Sequence, residues 1–192
     1  DSFLPQLTLI LIDDPVVEVE GDTASLSVYS ADFEDGIPGE FTGFTTTTSV
    51  QGYAGIGTTT NVFAGDFLQN DSGCCADLPT TPQTATRMTL FDLPNHTSVD
   101  IDFLLAIINS WNDANDSTIW GPDQFTVTVD GMTVFTENFR NLDGLTQGYL
   151  PPAGVALTPA PLTDLGFPGP VNPLDLNDSA YDMGLDPAFD AI

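Results

Sequence analysis

Two pentads in this chain share one order of oxygen-bearing residues: Asp113-Ala114-Asn115-Asp116-Ser117 and Asp175-Leu176-Asn177-Asp178-Ser179. Hard cations such as calcium are held by several oxygen ligands, and side-chain oxygens at alternate positions let a short loop wrap one. Asp113, Asn115 and Asp116, with Asp123 beyond them, form the first candidate metal set; Asp175 and Asn177 form the second. A third cluster, Asp32-Phe33-Glu34-Asp35-Gly36, places the carboxylates of Asp32, Glu34 and Asp35 within one turn. Neither pentad continues with the glycine and glutamate of an EF-hand loop. Asp, Asn and Ser are also ordinary turn formers, so plain turns stand beside calcium as readings of all three segments.

The charge balance gives the cation reading its weight. The chain has 28 Asp and Glu against two Arg and no Lys, a formal net charge of -26 over 192 residues. A fold with that excess repels itself unless counter-ions neutralise it. Arg87 and Arg140 stand alone, so nucleic acid is excluded as a partner, because neutralising phosphates needs clustered basic residues. An anionic membrane surface is excluded for the same reason. No apolar run approaches the ~20 residues of a membrane span, so membrane insertion is not expected. The first residue is Asp rather than Met, which fits a mature secreted product whose signal has been removed.

Catalysis has little support in the sequence. The only histidine, His96, lies in a Pro-Asn-His-Thr turn and reads as a hydrogen-bonded turn residue. There is no Gly-x-Ser-x-Gly turn for a nucleophile and no histidine pair for zinc. A glycosidase needs only two carboxylates, which keeps a glycan-processing enzyme as the third reading of function. Trp111 and Trp120 bracket the first pentad. Trp120 and Tyr149 are the candidates for stacking on a sugar ring, whereas Trp111 reads as a core anchor. The only cysteines are the adjacent Cys74 and Cys75. Neighbouring Cα atoms lie about 3.8 Å apart, below the usual disulfide range of ~4.4 Å upward. A strained vicinal disulfide, two free thiols and bridges to another chain all remain open.

The elements that would carry these loops are strands. Apolar alternation, not helical periodicity, runs through the first three quarters of the chain. Leu7 to Ile12 predicts a strand, with a break at Asp13-Asp14-Pro15; Val16 to Glu20 and Ala24 to Tyr29 predict two more. The Thr- and Gly-rich segment 41–63 predicts two extended strands around Gln51-Gly52, and Arg87 to Leu93 another. Val99, Ile101 and Phe103 alternate with Asp100 and Asp102 and lead into the apolar run Leu104 to Ile108. That pattern predicts a half-exposed strand that becomes buried on both faces, at the centre of the core. Phe125 to Val129 and Met132 to Phe139 flank Asp130-Gly131, a strong hairpin signature. Between Pro151 and Pro187 the texture turns to Pro, Gly and Asp, which predicts a long loop or tail with at most a short helical turn near Ala180 to Met183.

The residues Asp32-Phe33-Glu34, Phe63-Ala64-Gly65-Asp66-Phe67-Leu68, Leu93-Pro94-x-His96-Thr97-Ser98-Val99, Ile107-Ile108-Asn109-Ser110-Trp111 and Gly121-Pro122-Asp123-Gln124-Phe125 resemble bacterial extracellular jelly-roll modules of the galactose-binding or carbohydrate-binding type. The resemblance covers about residues 24 to 140. It implies a two-sheet sandwich with structural calcium, in a secreted or surface protein. Such modules close with a final strand that is missing at Asp190-Ala191-Ile192. Either the product is trimmed, the sequence is a part of a longer one, or a neighbouring chain supplies that strand; the apolar segment Leu7, Leu9 and Leu11 would suit such an exchange. An ordinary first strand in its own sheet is the competing reading.

The expectation is therefore an all-β protein: an antiparallel, jelly-roll-like sandwich over residues 1–150, with 1–14 as a candidate assembly strand and 151–192 as a Pro/Gly/Asp-rich loop or tail. Its function reads as non-enzymatic: a secreted, calcium-stabilised structural or adhesive subunit that assembles with itself, or, as the alternative, a carbohydrate-binding module for a surface glycan.

Overall fold

A computed structural model describes residues 9–20, 25–43, 45–49, 52–71, 85–108, 111, 123–140, 147–158 and 178–192. Among these residues ten strands occur in this order: β1 (Leu9–Glu20), β2 (Ser25–Ser30), β3 (Phe41–Thr42), β4 (Thr45–Ser49), β5 (Asp66–Asp71), β6 (Arg87–Met88), β7 (Ser98–Ile108), β8 (Gln124–Val129), β9 (Met132–Asn138) and β10 (Ser179–Asp182). Two 3-10 turns, Met183–Leu185 and Pro187–Phe189, follow β10. The fold is all-β and every named strand pair is antiparallel. The main sheet has the order β10-β7-β1-β5-β4, with β2 also on β1; β3–β6 and β8–β9 form separate two-stranded pairs.

β7 sets the architecture. Its first five residues are half-buried and Phe103 to Ile108 are all buried. Successive strand side chains point to opposite faces, so the run feeds two cores. Phe103, Leu105 and Ile107 join Trp111, Phe125, Phe135, Phe139, Tyr149, Val155, Tyr181, Met183 and Phe189. Leu104, Ala106 and Ile108 join Tyr53, Phe63, Phe67 and Ala180. The β8–β9 hairpin thus covers one face of β7, and the turn-rich segment 52–63 covers the other. Asp130 and Gly131 take φ of +49° and +82°, the left-handed pair that a two-residue hairpin turn requires.

Asp13-Asp14-Pro15 does not break the chain into two strands as expected. β1 runs through it with a bulge: Asp13 faces Leu104 and Val16 faces Asp102, so β1 spends one extra residue there. Pro15 has no N–H to give a ladder, and a bulge is where a sheet tolerates it. The extra residue inverts the alternation of β1. Beyond it Val17 and Val19 are buried, and Glu18 lies opposite Asp100.

Three other expectations change. The second strand sought within 41–63 is replaced by turns that use positive φ at Gly52, Gly55 and Gly57. Its partner for β4 is instead β5, a polar stretch whose adjacent Phe67 and Leu68 are both buried. Arg87 to Leu93 pairs only over Arg87–Met88. Of the Pro/Gly/Asp-rich segment 151–192, expected as a loop or tail, the described residues 178–192 lie against the sheet. All four residues of β10 are buried and pair with Leu104–Ile107 of β7. Further on, Val99 and Ile192 exchange backbone hydrogen bonds of 3.1 and 2.9 Å.

Leu9 and Leu11 lie in the sheet of their own chain. Leu9 is paired with Asp71 on one side and Ile108 on the other, and Leu11 with Gln69 and Ala106. Both edges of this segment are filled, so the first strand is an internal one and not a free strand offered to a neighbour; Leu7 lies outside the described residues. Because Leu105 sits at 0% exposure in the larger core, Leu105→Ala is expected to cost about 2–5 kcal/mol. Urea denaturation should show a lower midpoint at an unchanged slope.

Candidate functional site

The bulge in β1 has an electrostatic result. Asp100 and Asp102, two apart on β7, share the face that carries Leu104 and Ala106 deeper in the core. Glu18 is directly opposite Asp100, and Asp182, opposite Leu104, joins the same face from β10. Asp190 adds a fifth carboxylate that raises the Asp102 pKa. Four strand carboxylates and one from the last turn therefore gather where the apolar core ends.

Three of the five accept hydrogen bonds. The Ser25 hydroxyl donates to Glu18 Oε2 at 2.6 Å, and Ala191 N–H donates to Asp100 Oδ1 at 2.5 Å. Asp182, at 4% exposure, accepts from Asn61 Nδ2 at 3.5 Å and from the Gly184 backbone N–H. The Asp102 carboxylate packs on Gly184 so closely that a Cβ at 184 would come within 2.2 Å of its Oδ1. Burial first, and then the charges of Asp182, Glu18, Asp100 and Asp190, push the Asp102 pKa above the ordinary carboxylate value. Burial also raises Asp182, with its two hydrogen bonds opposing the shift. This face is a place where the protein holds negative charge against its preference.

The predicted cation loops fare differently. In the Asp32 segment, Asp32 Oδ1 accepts from Glu34 N–H at 3.3 Å, and Glu34 Oε1 accepts from Asp66 N–H at 2.9 Å. Glu34 lies across Gly65, where any Cβ would collide with its carboxylate. Phe33 between them is 1% exposed at φ +58°, held there by burial and an edge contact with Phe41. Asp32 thus caps its own turn and Glu34 fastens that turn to the segment at Asp66, and all three carboxylates of Asp32, Glu34 and Asp35 are exposed. Asp123 is half-buried just before β8. Asp113, Asn115, Asp116, Asp175 and Asn177 lie outside the described residues, as do Trp120, Cys74 and Cys75. Among the described residues no three His, Cys, Asp or Glu side chains converge in an arrangement that could hold a metal ion.

Tyr149, a candidate for stacking on a sugar, is buried and not displayed at the surface. It is 4% exposed, its ring meets Phe135, Phe139 and Tyr181, and its hydroxyl donates to Asp186 Oδ2. Burial, reinforced by that bond, holds the hydroxyl protonated far above its usual range. Asp186 also accepts from Ala188 N–H at 3.0 Å, so the pair ties the second 3-10 turn to the core. Trp111 is a core anchor, fully buried against Phe139. His96 donates from Nδ1 to the Pro94 carbonyl at 2.7 Å, as a turn histidine does.

The carboxylate face was missed in the sequence because its members come from four separate segments. One signal was present: Asp100 and Asp102 at i and i+2 of a strand must share a face. Comparison with protein-family models, with characterised proteins and with solved structures finds no match to this chain. No helix among the described residues is long and apolar enough to cross a membrane.

Raised carboxyl pKa values make stability fall with rising pH. The folded state holds protons on Asp102 and Asp182 that the unfolded chain has already lost, so the repulsive cost is absent well below the unfolded value of 3.8. That cost grows as pH climbs through the raised folded values and is complete above them. Asp102→Asn should raise neutral-pH stability by on the order of 1 kcal/mol for a half-buried, solvent-screened group. Thermal melts should show a gain of about 2–4 °C at pH 7 that disappears near pH 3.

Proposed function

We propose that this chain is a non-enzymatic, calcium-stabilised β-protein of an extracellular surface or matrix, working as a structural or adhesive subunit in assemblies of itself. The observation that carries this reading is the negative potential of the face bearing Glu18, Asp100, Asp102, Asp182 and Asp190, on a chain with only two arginines. These carboxylates do not converge as ligands of one ion, so a cation would neutralise them by association with the face and not by chelation. Like charges held together at the margin of a core destabilise the fold, and a divalent cation supplies the positive charge that the side chains lack. Half-buried carboxylates are screened by bulk salt less than exposed ones, so an ion associated with this face acts on a cost that sodium reaches poorly. The pentads at Asp113 and Asp175 would add loop sites of the usual oxygen-ligand kind. The resemblance to jelly-roll modules belongs to the same proposal, and the antiparallel pairing throughout supports it.

Ions that bind only the folded state stabilise it by mass action, by about 2.7 kcal/mol at a hundredfold excess over Kd. Calcium should therefore raise the melting temperature by roughly 5–10 °C over a sodium control of equal ionic strength. Asp102→Asn should lose part of that increment. Identical melts in calcium and in matched sodium would show mere screening and sink the calcium mechanism.

A further inference from the structure

The chain is strongly acidic, yet residues 41–65, its longest stretch without a charged side chain, contain no Asp, Glu, Lys, Arg or His. β4 lies inside this stretch and ends the main sheet; among the described residues no strand pairs with its far side. The opposite end of the sheet is closed. Leu157 N–H donates to the Ala180 carbonyl at 2.9 Å, and Asp182 N–H donates to that of Val155 at 2.8 Å, on the outer side of β10. The edge at β2 is set among acids: Ser27 lies opposite Glu18 and Ser25 opposite Glu20, with Asp32, Glu34 and Asp35 just beyond.

An open edge exposes a row of N–H and C=O groups, which natural sheets blunt with charge, proline or a bulge. Thr45-Thr46-Thr47-Thr48-Ser49 has neither charge nor proline, and its register against β5 is unbroken. We propose that β4 is where two copies of this chain join, edge to edge and antiparallel, about a two-fold axis. Centred on Thr47, such a pairing sets Thr46 against Thr48 and Thr45 against Ser49. Threonine opposite threonine is a favourable cross-strand pair, so the strand is complementary to itself. Two chains of formal charge -26 repel wherever their carboxylates face, and this uncharged edge is where their backbones approach at least electrostatic cost. The inference rests on the self-assembly in the reading above and does not depend on its cation chemistry.

Sedimentation of the full chain tests it, at about 100 µM protein in roughly 0.05 and 0.5 M sodium chloride, with calcium or with chelator. A dimer is expected whose population rises with salt, because screening weakens the remaining repulsion, and which persists in chelator. Thr46 and Ser49 are exposed, so the double variant Thr46→Asp/Ser49→Asp should melt like the parent while associating about tenfold or more weakly. Ser27→Asp/Ser30→Asp, on the β2 edge, should associate like the parent. A parent that stays monomeric in every condition overturns both self-assembly and this edge. An oligomer that survives Thr46→Asp/Ser49→Asp, or one lost only in the β2 variant, overturns the edge and leaves self-assembly standing.

Discussion

The burial of β7 on both faces organises the two cores of this fold. A strand with one wet face needs one covering layer; Phe103 to Ile108 have none exposed and need two. Full burial of each large apolar side chain contributes roughly 1.5–3 kcal/mol, so neither layer is dispensable. The hairpin and the C-terminal turns supply one, through Phe125, Phe135, Met183 and Phe189. Tyr53, Phe63 and Phe67 supply the other. Along its edges β7 is held by β1 and β10, strands far apart in sequence, so the sheet centre closes only when both have arrived.

The same strand also fixes where charge is concentrated. Towards its start β7 leaves the core while keeping its register against β1, and the positions in line with Leu104 and Ala106 become Asp100 and Asp102. The β1 bulge brings Glu18 onto that face and buries Val17 and Val19 on the other. Packing and electrostatics thus oppose one another within a few residues. The apolar pairing that orders the sheet forces carboxylates together at its end, in a chain with almost no cationic side chain to separate them. The proposed cation association and the proposed joining edge would be two separate answers to this excess of negative charge, one on the face of the sheet and one at its margin.

Local signals were legible where a residue's neighbours in sequence are also its partners in space. Asp130-Gly131 between alternating strands specifies its own turn, and five apolar residues after an alternating run announce a doubly buried strand. The turn role of His96 and the core role of Trp111 could be read in the same way. The Asp13-Asp14-Pro15 signal was real but ambiguous, since a proline excludes a regular ladder and is equally compatible with a break or a bulge. β5 and β10 were not legible. Asp66–Asp71 is polar, and Ser179–Asp182 follows a long Pro/Gly-rich stretch, so neither shows the period of a strand. Their strand character comes from a partner that offers an unfilled edge. Tyr149 shows the converse: an aromatic beside a Gly- and Pro-rich segment looks like a surface platform until Phe135, Phe139 and Tyr181 are seen around it.

By itself, the sequence determined the all-β class, the central strand, the hairpin and the excess of acid, because each follows from composition or from a period along a single segment. Only the tertiary structure decided which acids meet. Glu18, Asp100, Asp102, Asp182 and Asp190 are brought together by a bulge and by a closing strand from the far end of the chain, and no one-dimensional spacing encodes that encounter. The physical reason is that strand pairing is a contact between distant segments, whose register is set by what both faces bury and not by either segment alone.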